Sequence, residues 1–437
     1  MSLLYVNDSG ATIGIEGNCC TVKQKDGSKR MLPIESLDGI TIMGQSQMTT
    51  QCAEECMQRG IPVSYFSKGG KYFGRLISTG HVNVERQRKQ CALYDTGFAV
   101  ELAMKILSAK IKNQSVVLRR YEKSKGLNLE EEQKMLAICR NKVLTCDRIE
   151  EMIGFEGQAA KYYFKGLSAC IDENFTFQGR NRRPPRDEFN SMISLGYSIL
   201  MNEVYCKIEM KGLNPYFGFI HRDAEKHPTL ASDMIEEWRA IIVDATAMSM
   251  INGHEILKDH FYFNMDEPGC YITKDGLKLY LNKLERKFQT EVRYLKYVDY
   301  AVSFRRGIFF RWNIWRKQLR RETQAFMSQL SYDDEDYYFQ ISDELESDKE
   351  FVLIIYDIVD NRKRVKLAKL LSGYGKRVQK SAFEAMLTTQ RYNKLIEEIP
   401  RYIDKTEDNV RIYKITGKGK VTSWGEVPEF DEEIVLI

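Results

Sequence analysis

A multidomain α+β chain is what three features of this sequence predict: a β-rich domain, then an α-helical one, then a small ferredoxin-like domain. Short apolar runs broken by turn signals fill the first 80 residues, and helical apolar spacing replaces them over 81–330. After an acidic stretch at 331–349, strand and helix patterns alternate over 350–437. With 437 residues and 43% hydrophobic content the chain has enough apolar material for several cores, which excludes a disordered tail protein. The net charge is only +4, so any electrostatic partner has to be read from local patches. Ten cysteines without a CxxC pair fit reduced thiols. The opening MSLLYVNDSG lacks a signal-peptide pattern and no apolar run reaches membrane length, so a cytoplasmic location is expected.

In the first domain, LLYV, ATIGI, CCTVKQ, MLPI, GITIM, IPVSYF and YFGRLI read as strands punctuated by NDSG, KDGS, LDG and SKGGK. MTTQCAEECMQRG is one helix ending at Gly60. Nothing here looks catalytic, and packing or self-association is the expected role.

The helical domain carries the chemistry. FAVELAMKILSAKIKNQSVVLRRY and LEEEQKMLAICRNKVLTCDRIEEMIG place apolar residues at i, i+3, i+4 and i+7. In GFEGQAAKYYFKGL, Glu156 is expected at the opening of a helix, with Gly154 and Gly157 allowing close backbone approach. A carboxylate buried there needs a partner. The run HRDAEKHPTLASDMIEEWR concentrates two histidines and five carboxylates. After Pro228 its spacing is helical, with Ser232 expected to cap the start. Asp233, Glu236 and Glu237 then share a face, approached by His221 from the preceding segment. Oxygen donors with one imidazole suit Mg²⁺ or Mn²⁺. An adjacent glutamate pair is more often the wet side of a helix, and a histidine beside carboxylates is commonly a surface group. Two basic clusters suggest phosphate contact: Arg180, Arg182, Arg183 and Arg186, and, in FRRGIFFRWNIWRKQLRRE, Arg305, Arg306, Arg311, Arg316 and Arg320, interleaved with aromatics expected to pack in the core.

Residues 331–349 read as an exposed acidic linker. Beyond it FVLIIYDI is a strand, RVKLAKLLSGYG a helix, RVQKSAFEAML a strand, RYNKLIEEIPRYI a helix and NVRIYKI a strand, an order that suggests a ferredoxin-like sheet. The apolar tail of DEEIVLI can add to a sheet edge.

Four of these segments, GFEGQAAKYY, RRPPRDEFNSMISLGYSIL, KGLNPYFGFIHRD and LASDMIEEWRAIIVD, in this order, resemble the CRISPR-associated integrase of spacer acquisition ("Cas one") over about residues 1–330. YDIVDNRKR and YGKRVQKSAFE resemble the second CRISPR adaptation protein ("Cas two") over nearly all of 350–437. Together they imply a fusion of the two. The resemblance makes Glu156, His221 and Glu236 the catalytic metal ligands and Asp233 an acidic neighbour, while helix spacing leaves Glu237 open as an alternative. It implies an antiviral-defence integrase that captures double-stranded prespacer DNA and inserts it at the CRISPR repeat beside the leader, by metal-dependent attack of a 3′-hydroxyl on a phosphodiester. It also implies a homo-oligomer in which a dimer of C-terminal domains bridges integrase dimers. Two rivals are a metal-dependent endonuclease, with Asp357 at the end of the first C-terminal strand as an accessory residue, and a catalytically idle DNA-binding scaffold. Because clustered carboxylates repel without a metal, losing one of the three ligands is expected to leave the fold intact.

Overall fold

The computed structural model describes residues 2–78, 80, 82–181, 184–264, 268–292, 301–308, 350–387, 389–404, 406–415 and 434–436. The expected acidic linker and the positions of Arg182, Arg183, Arg311, Arg316 and Arg320 lie outside these residues. The chain forms two compact units, one of residues 1–68, 72–78 and 333–437, the other of 69–71 and 79–332. The strand-rich start and the C-terminal segment therefore share a unit.

In that first unit the strands are β1 (Ser2–Val6), β2 (Thr12–Glu16), β3 (Cys19–Lys23), β4 (Lys29–Pro33), β5 (Leu37–Met43), β6 (Gln47–Met48), β7 (Val63–Phe66) and β8 (Tyr72–Leu76). β2, β3, β4 and β6 form one sheet, in the order β4-β3-β2-β6, and β1-β5-β7-β8 lie in another. The two share a core of Leu4, Val6, Ile13, Cys20, Ile40, Ile42 and Val63, with Cys52 and Cys56 from helix α1 (Thr50–Gln58). The Thr49 side chain caps α1, and Gly60 follows it at φ 67°.

Further along the first unit come Glu350–Asp357, Lys376–Gln379, Ala382–Leu387 and Asn409–Ile415, with helices Asn361–Leu371 and Thr389–Glu398 between them. RVQKSAFEAML is not one strand but an antiparallel hairpin, turning at Lys380 and Ser381. The first of these strands is central, flanked by Ala382–Leu387 and Asn409–Ile415 and antiparallel to both. Its alternate residues Val352, Ile354 and Tyr356 are buried against Leu367, Leu371 and Leu395 of the helices. Ile434–Leu436 extends the N-terminal sheet, parallel to β1, with Leu3 opposite Ile434. Glu35, only 6% exposed, faces Arg59, Lys394 at 3.3 Å and Arg391 at 3.7 Å. One buried carboxylate thus gathers cations from both ends of the chain.

The second unit is helical: α2 (Val84–Ala92), α3 (Gly97–Lys125), α4 (Glu130–Val143), α5 (Ile149–Cys170), α6 (Glu188–Met210), α7 (Thr229–Trp238), α8 (Ala245–Asn252) and α9 (Lys274–Gln289). Two short antiparallel hairpins, Phe261–Asn264 with Gly269–Ile272 and Glu291–Val292 with Val302–Ser303, complete it. α3 is the spine, packed on α4, α5 and α7, and ends at Gly126 with φ 63°. Gly166 lets α3 and α5 close: a Cβ there would stand 3.0 Å from both Leu118 methyls. That approach brings the polar residues of α3 and α5 together further along the same pair. Gly154 and Gly157, expected to serve this purpose, face open space instead.

Candidate metal centre

Glu156 does not open its helix; it lies in the second turn of α5, one turn beyond buried Met152 and in line with Ala159 and Tyr163. The register that buries those apolar residues therefore carries its carboxylate inward. Every residue of α7 is buried, Asp233, Glu236 and Glu237 among them, so the adjacent glutamates are not a wet face. Ser232 lies inside this helix rather than at its start, and its hydroxyl is 2.9 Å from His227 Nε2.

Between the two helices stands Lys110 of α3, a residue that the motif reading passed over. Its ammonium is paired with Glu156 Oε1 and lies 2.5 Å from Glu236 Oε2. Apart from that ammonium, Glu236 Oε2 is buried with no other polar partner. One turn on, Asn113 donates to the Glu237 carbonyl at 2.8 Å, which fixes α3 against α7. The other oxygen of Glu236 accepts from Arg239 at 2.6 Å. Burial pushes the Glu236 carboxyl up, but Arg239, Lys110 and His221 together outweigh it and hold it at about 2. Glu236 is thus an anion in a protein interior, which only fixed cations can sustain.

His221 is held from behind. Its Nδ1 is 2.6 Å from Asp233 Oδ1, and a carboxylate can only accept there, so Nδ1 carries a proton and in the neutral imidazole Nε2 keeps its lone pair. Nε2 faces Glu236 Oε1 at 3.9 Å. The Asp233 hydrogen bond pulls His221 above its ordinary pKa, against desolvation. Asp233 also accepts backbone N–H groups from Phe219 (2.7 Å), Ile220 (3.0 Å) and His221 (3.1 Å). Its oxygens are spent on orienting the histidine, as a carboxylate behind a metal-binding imidazole would be. This wrap depends on Gly218, where a Cβ would lie 2.7 Å from Thr229 Cβ and 2.9 Å from Asp233 Oδ2.

Behind the centre, α7 continues as a π-helical segment, Arg239–Asp244. Its wider turn puts Asp244 between Tyr163 (2.9 Å) and Tyr197 (2.6 Å), both donating. Burial raises the Asp244 carboxyl to about 6 in spite of those bonds. Arg239 lies over the Tyr197 ring at 5.0 Å, so the guanidinium on Glu236 is seated on a residue that Asp244 anchors.

The donor set fits a divalent ion: two carboxylates, one of them with a buried oxygen whose sole polar contact is the Lys110 ammonium, and an imidazole oriented by Asp233. Among the described residues no three such side chains already converge at bonding distance, and the Lys110 ammonium contacts both carboxylates.

Two of the arginines assigned to phosphate contact are turned inward. Arg305, 5% exposed, forms a two-pronged pair with Glu285 and reaches Glu203 at 3.2 Å, so it is a structural cation. Arg180 donates to Asn190 at 2.8 Å and to Ser194 at 3.1 Å. Arg186 is exposed and Arg306 half-buried. Asp357 is exposed at the end of its strand, with Asn409 opposite.

Residues 4–286 match the family model for CRISPR associated protein Cas1. A CRISPR-associated endonuclease Cas1 from Mycobacterium tuberculosis is 34% identical over 305 residues, covering 70% of this chain and 90% of that protein. The chain belongs to the Cas1 family. Residues 350–422 match the model for CRISPR associated protein Cas2, so one chain joins a Cas1 part to a Cas2 part. Two solved structures share the Cas1 fold. One is a Cas1 protein from Thermotoga maritima (TM-score 0.63, 23% identity, 73% of this chain and 97% of that one). The other is a casposase bound to integration product (TM-score 0.64, 21% identity, 74% and 91%). Among the described residues no helix is long and apolar enough to cross a membrane.

Proposed function

We propose that this Cas1–Cas2 chain is a CRISPR adaptation integrase that joins prespacer DNA to the repeat at the Glu156–His221–Glu236 centre. The observation that carries the reading is the pair of inward carboxylates on α5 and α7 that share the Lys110 ammonium, with the Asp233-oriented imidazole of His221 facing one of them, Glu236. Those three residues would hold Mg²⁺ or Mn²⁺, which when bound supplies charge to the phosphate oxygens and lowers the pKa of the attacking hydroxyl. Asp233 holds the His221 tautomer, and Arg239 and Lys110 keep Glu236 ionised. In the reaction a prespacer 3′-oxygen forms a bond to a repeat phosphorus, the old bond from that phosphorus to a 3′-oxygen breaks, and the attacking hydroxyl's proton passes to the departing oxygen. One phosphodiester replaces another, so no nucleotide cofactor is needed.

The C-terminal part, whose strand and helix order supports the ferredoxin-like reading, acts as the spacer between integrase dimers, and Asp357 is a scaffold residue. Duplex DNA lies along exposed basic residues such as Arg186. A labelled prespacer duplex incubated with a repeat-bearing plasmid tests all of this: joined product is expected. Cut plasmid without joining would make hydrolysis by the same centre the main activity, and a mobility shift alone would make the chain a scaffold.

A further inference from the structure

We infer that Lys110 is a resident counter-ion of the metal centre: its ammonium holds Glu156 and Glu236 together while no metal is bound, and a divalent cation takes its place by exchange. The inference rests on the metal reading above and gives Lys110 a role beyond keeping Glu236 ionised.

The argument is one of charge and space. The Lys110 side chain is 9% exposed and sits on α3, with both carboxylate groups within ion-pair distance. Glu236 already has Arg239 on its other oxygen, so these two carboxylates are paired with two cations. A dication added beside Lys110 and Arg239 would set four positive charges against Glu156, Glu236 and the Asp233 carboxylate behind His221, an uncompensated excess at buried Glu236. The mobile cation is the lysine. Arg239 is clamped between Glu236 and the Tyr197 ring, whereas the ammonium ends a flexible four-carbon stem. Exchange gives up the ammonium's contacts with Glu156 and Glu236, and a divalent cation meets the same two carboxylates with twice the charge. His221, 40% exposed, leaves the centre open to entry from its side. Metal-free protein is thereby spared two bare carboxylates in the interior, and the metal affinity is set lower than the ligands alone would give.

The test compares Mn²⁺ binding by the full chain and by Lys110→Met, following free Mn²⁺ by electron paramagnetic resonance, with Glu236→Gln as the control for the site. Lys110→Met is expected to bind Mn²⁺ about tenfold more tightly or better, since nothing has to be displaced, and to melt at a lower temperature in chelator with the loss recovered on Mn²⁺ addition. Affinity within twofold of wild type, or weaker, would overturn the exchange. If the variant does not fold without metal, wild-type protein decides: reductive methylation mapped by mass spectrometry should modify Lys110 several-fold faster with saturating Mn²⁺ than in chelator. An unchanged rate means that the ammonium stays in place and sinks the inference. Should wild type and Glu236→Gln bind Mn²⁺ equally, the metal reading itself is wrong, a different result from a centre that binds metal with Lys110 indifferent to it.

Discussion

Glu236 and Asp357 are both carboxylates that a family motif singles out, yet their surroundings differ in every respect that decides chemistry. Glu236 is buried on α7, held near pKa 2 by Arg239 and Lys110, and faces His221. Asp357 is exposed at the end of a strand. A motif residue is poised for catalysis when the fold forces a charge into an apolar place and surrounds it, which is costly and therefore specific. The largest expected effect follows from that contrast. Glu236→Gln should cut strand joining by about a hundredfold or more in the plasmid assay, with the fold kept. Glu236→Ala should also destabilise the protein by about 3–5 kcal/mol in denaturant titration, because Lys110 and Arg239 are left facing a hole. This reverses the expectation that losing one ligand is harmless: the carboxylates do not simply repel, since fixed cations already stand between and beside them. Unchanged joining by Glu236→Gln would remove Glu236 from the centre.

The basic residues sharpen the same distinction. Arg305→Ala should cost about 3–5 kcal/mol of stability, since it strands Glu285 and Glu203 in the interior. The salt dependence of DNA binding should not change. Arg182→Ala with Arg183→Ala should do the opposite, reducing the salt slope by about one per lost phosphate contact at constant stability. A changed slope for Arg305→Ala would return that arginine to the DNA surface.

These cases mark how far the sequence could be read. Helix periodicity located α7 and put Asp233, Glu236 and Glu237 on one face of it, whereas the trio Glu156, His221 and Glu236 came from the family resemblance, and the start of α5 was misplaced. Lys110 was not picked out, since a lysine within KILSAKIKNQ resembles ordinary solvated charge until α5 and α7 are folded against it. Gly218 escaped for a related reason: its role is a 2.7 Å approach to Thr229, which no spacing rule encodes. Gly154 and Gly157 were credited with closeness that belongs to Gly166. Arg180 and Arg305 misled because composition counts charges without their partners. The hairpin at Lys380 and Ser381 was missed because its turn lacks glycine, proline or asparagine.

Asp244 gives a smaller and purely thermodynamic test. Its folded pKa of about 6 lies above the unfolded value of 3.8, so folding favours the protonated form. The sign is that of a raised acid: stability is greatest below about pH 4, falls as pH rises toward 6, and stays lower above it. The shift corresponds to about 3 kcal/mol. Glu236 works the other way, contributing stability above its unfolded value of 4.5 that is lost only as pH falls toward 2. Between pH 4.5 and 6 the Asp244 contribution therefore stands clear of that of Glu236. Asp244→Asn should flatten the unfolding free energy across that window; a slope identical to wild type would mean that another group titrates there.

The smallest effect is expected at Asp357. Its side chain is exposed, and its strand partner Asn409 supplies the backbone pairing whatever the side chain carries. Asp357→Asn should change stability by less than about 0.5 kcal/mol, the usual range for a surface substitution. Joining should proceed at the wild-type rate if the Cas2 part serves as a spacer, because no step at the α5–α7 centre uses that carboxylate. Measured beside Glu236→Gln in one gel assay, the two variants set the exposed carboxylate against the buried one. Loss of joining by a folded Asp357→Asn protein, with Glu236→Gln still active, would invert the comparison and move the chemistry to the C-terminal sheet.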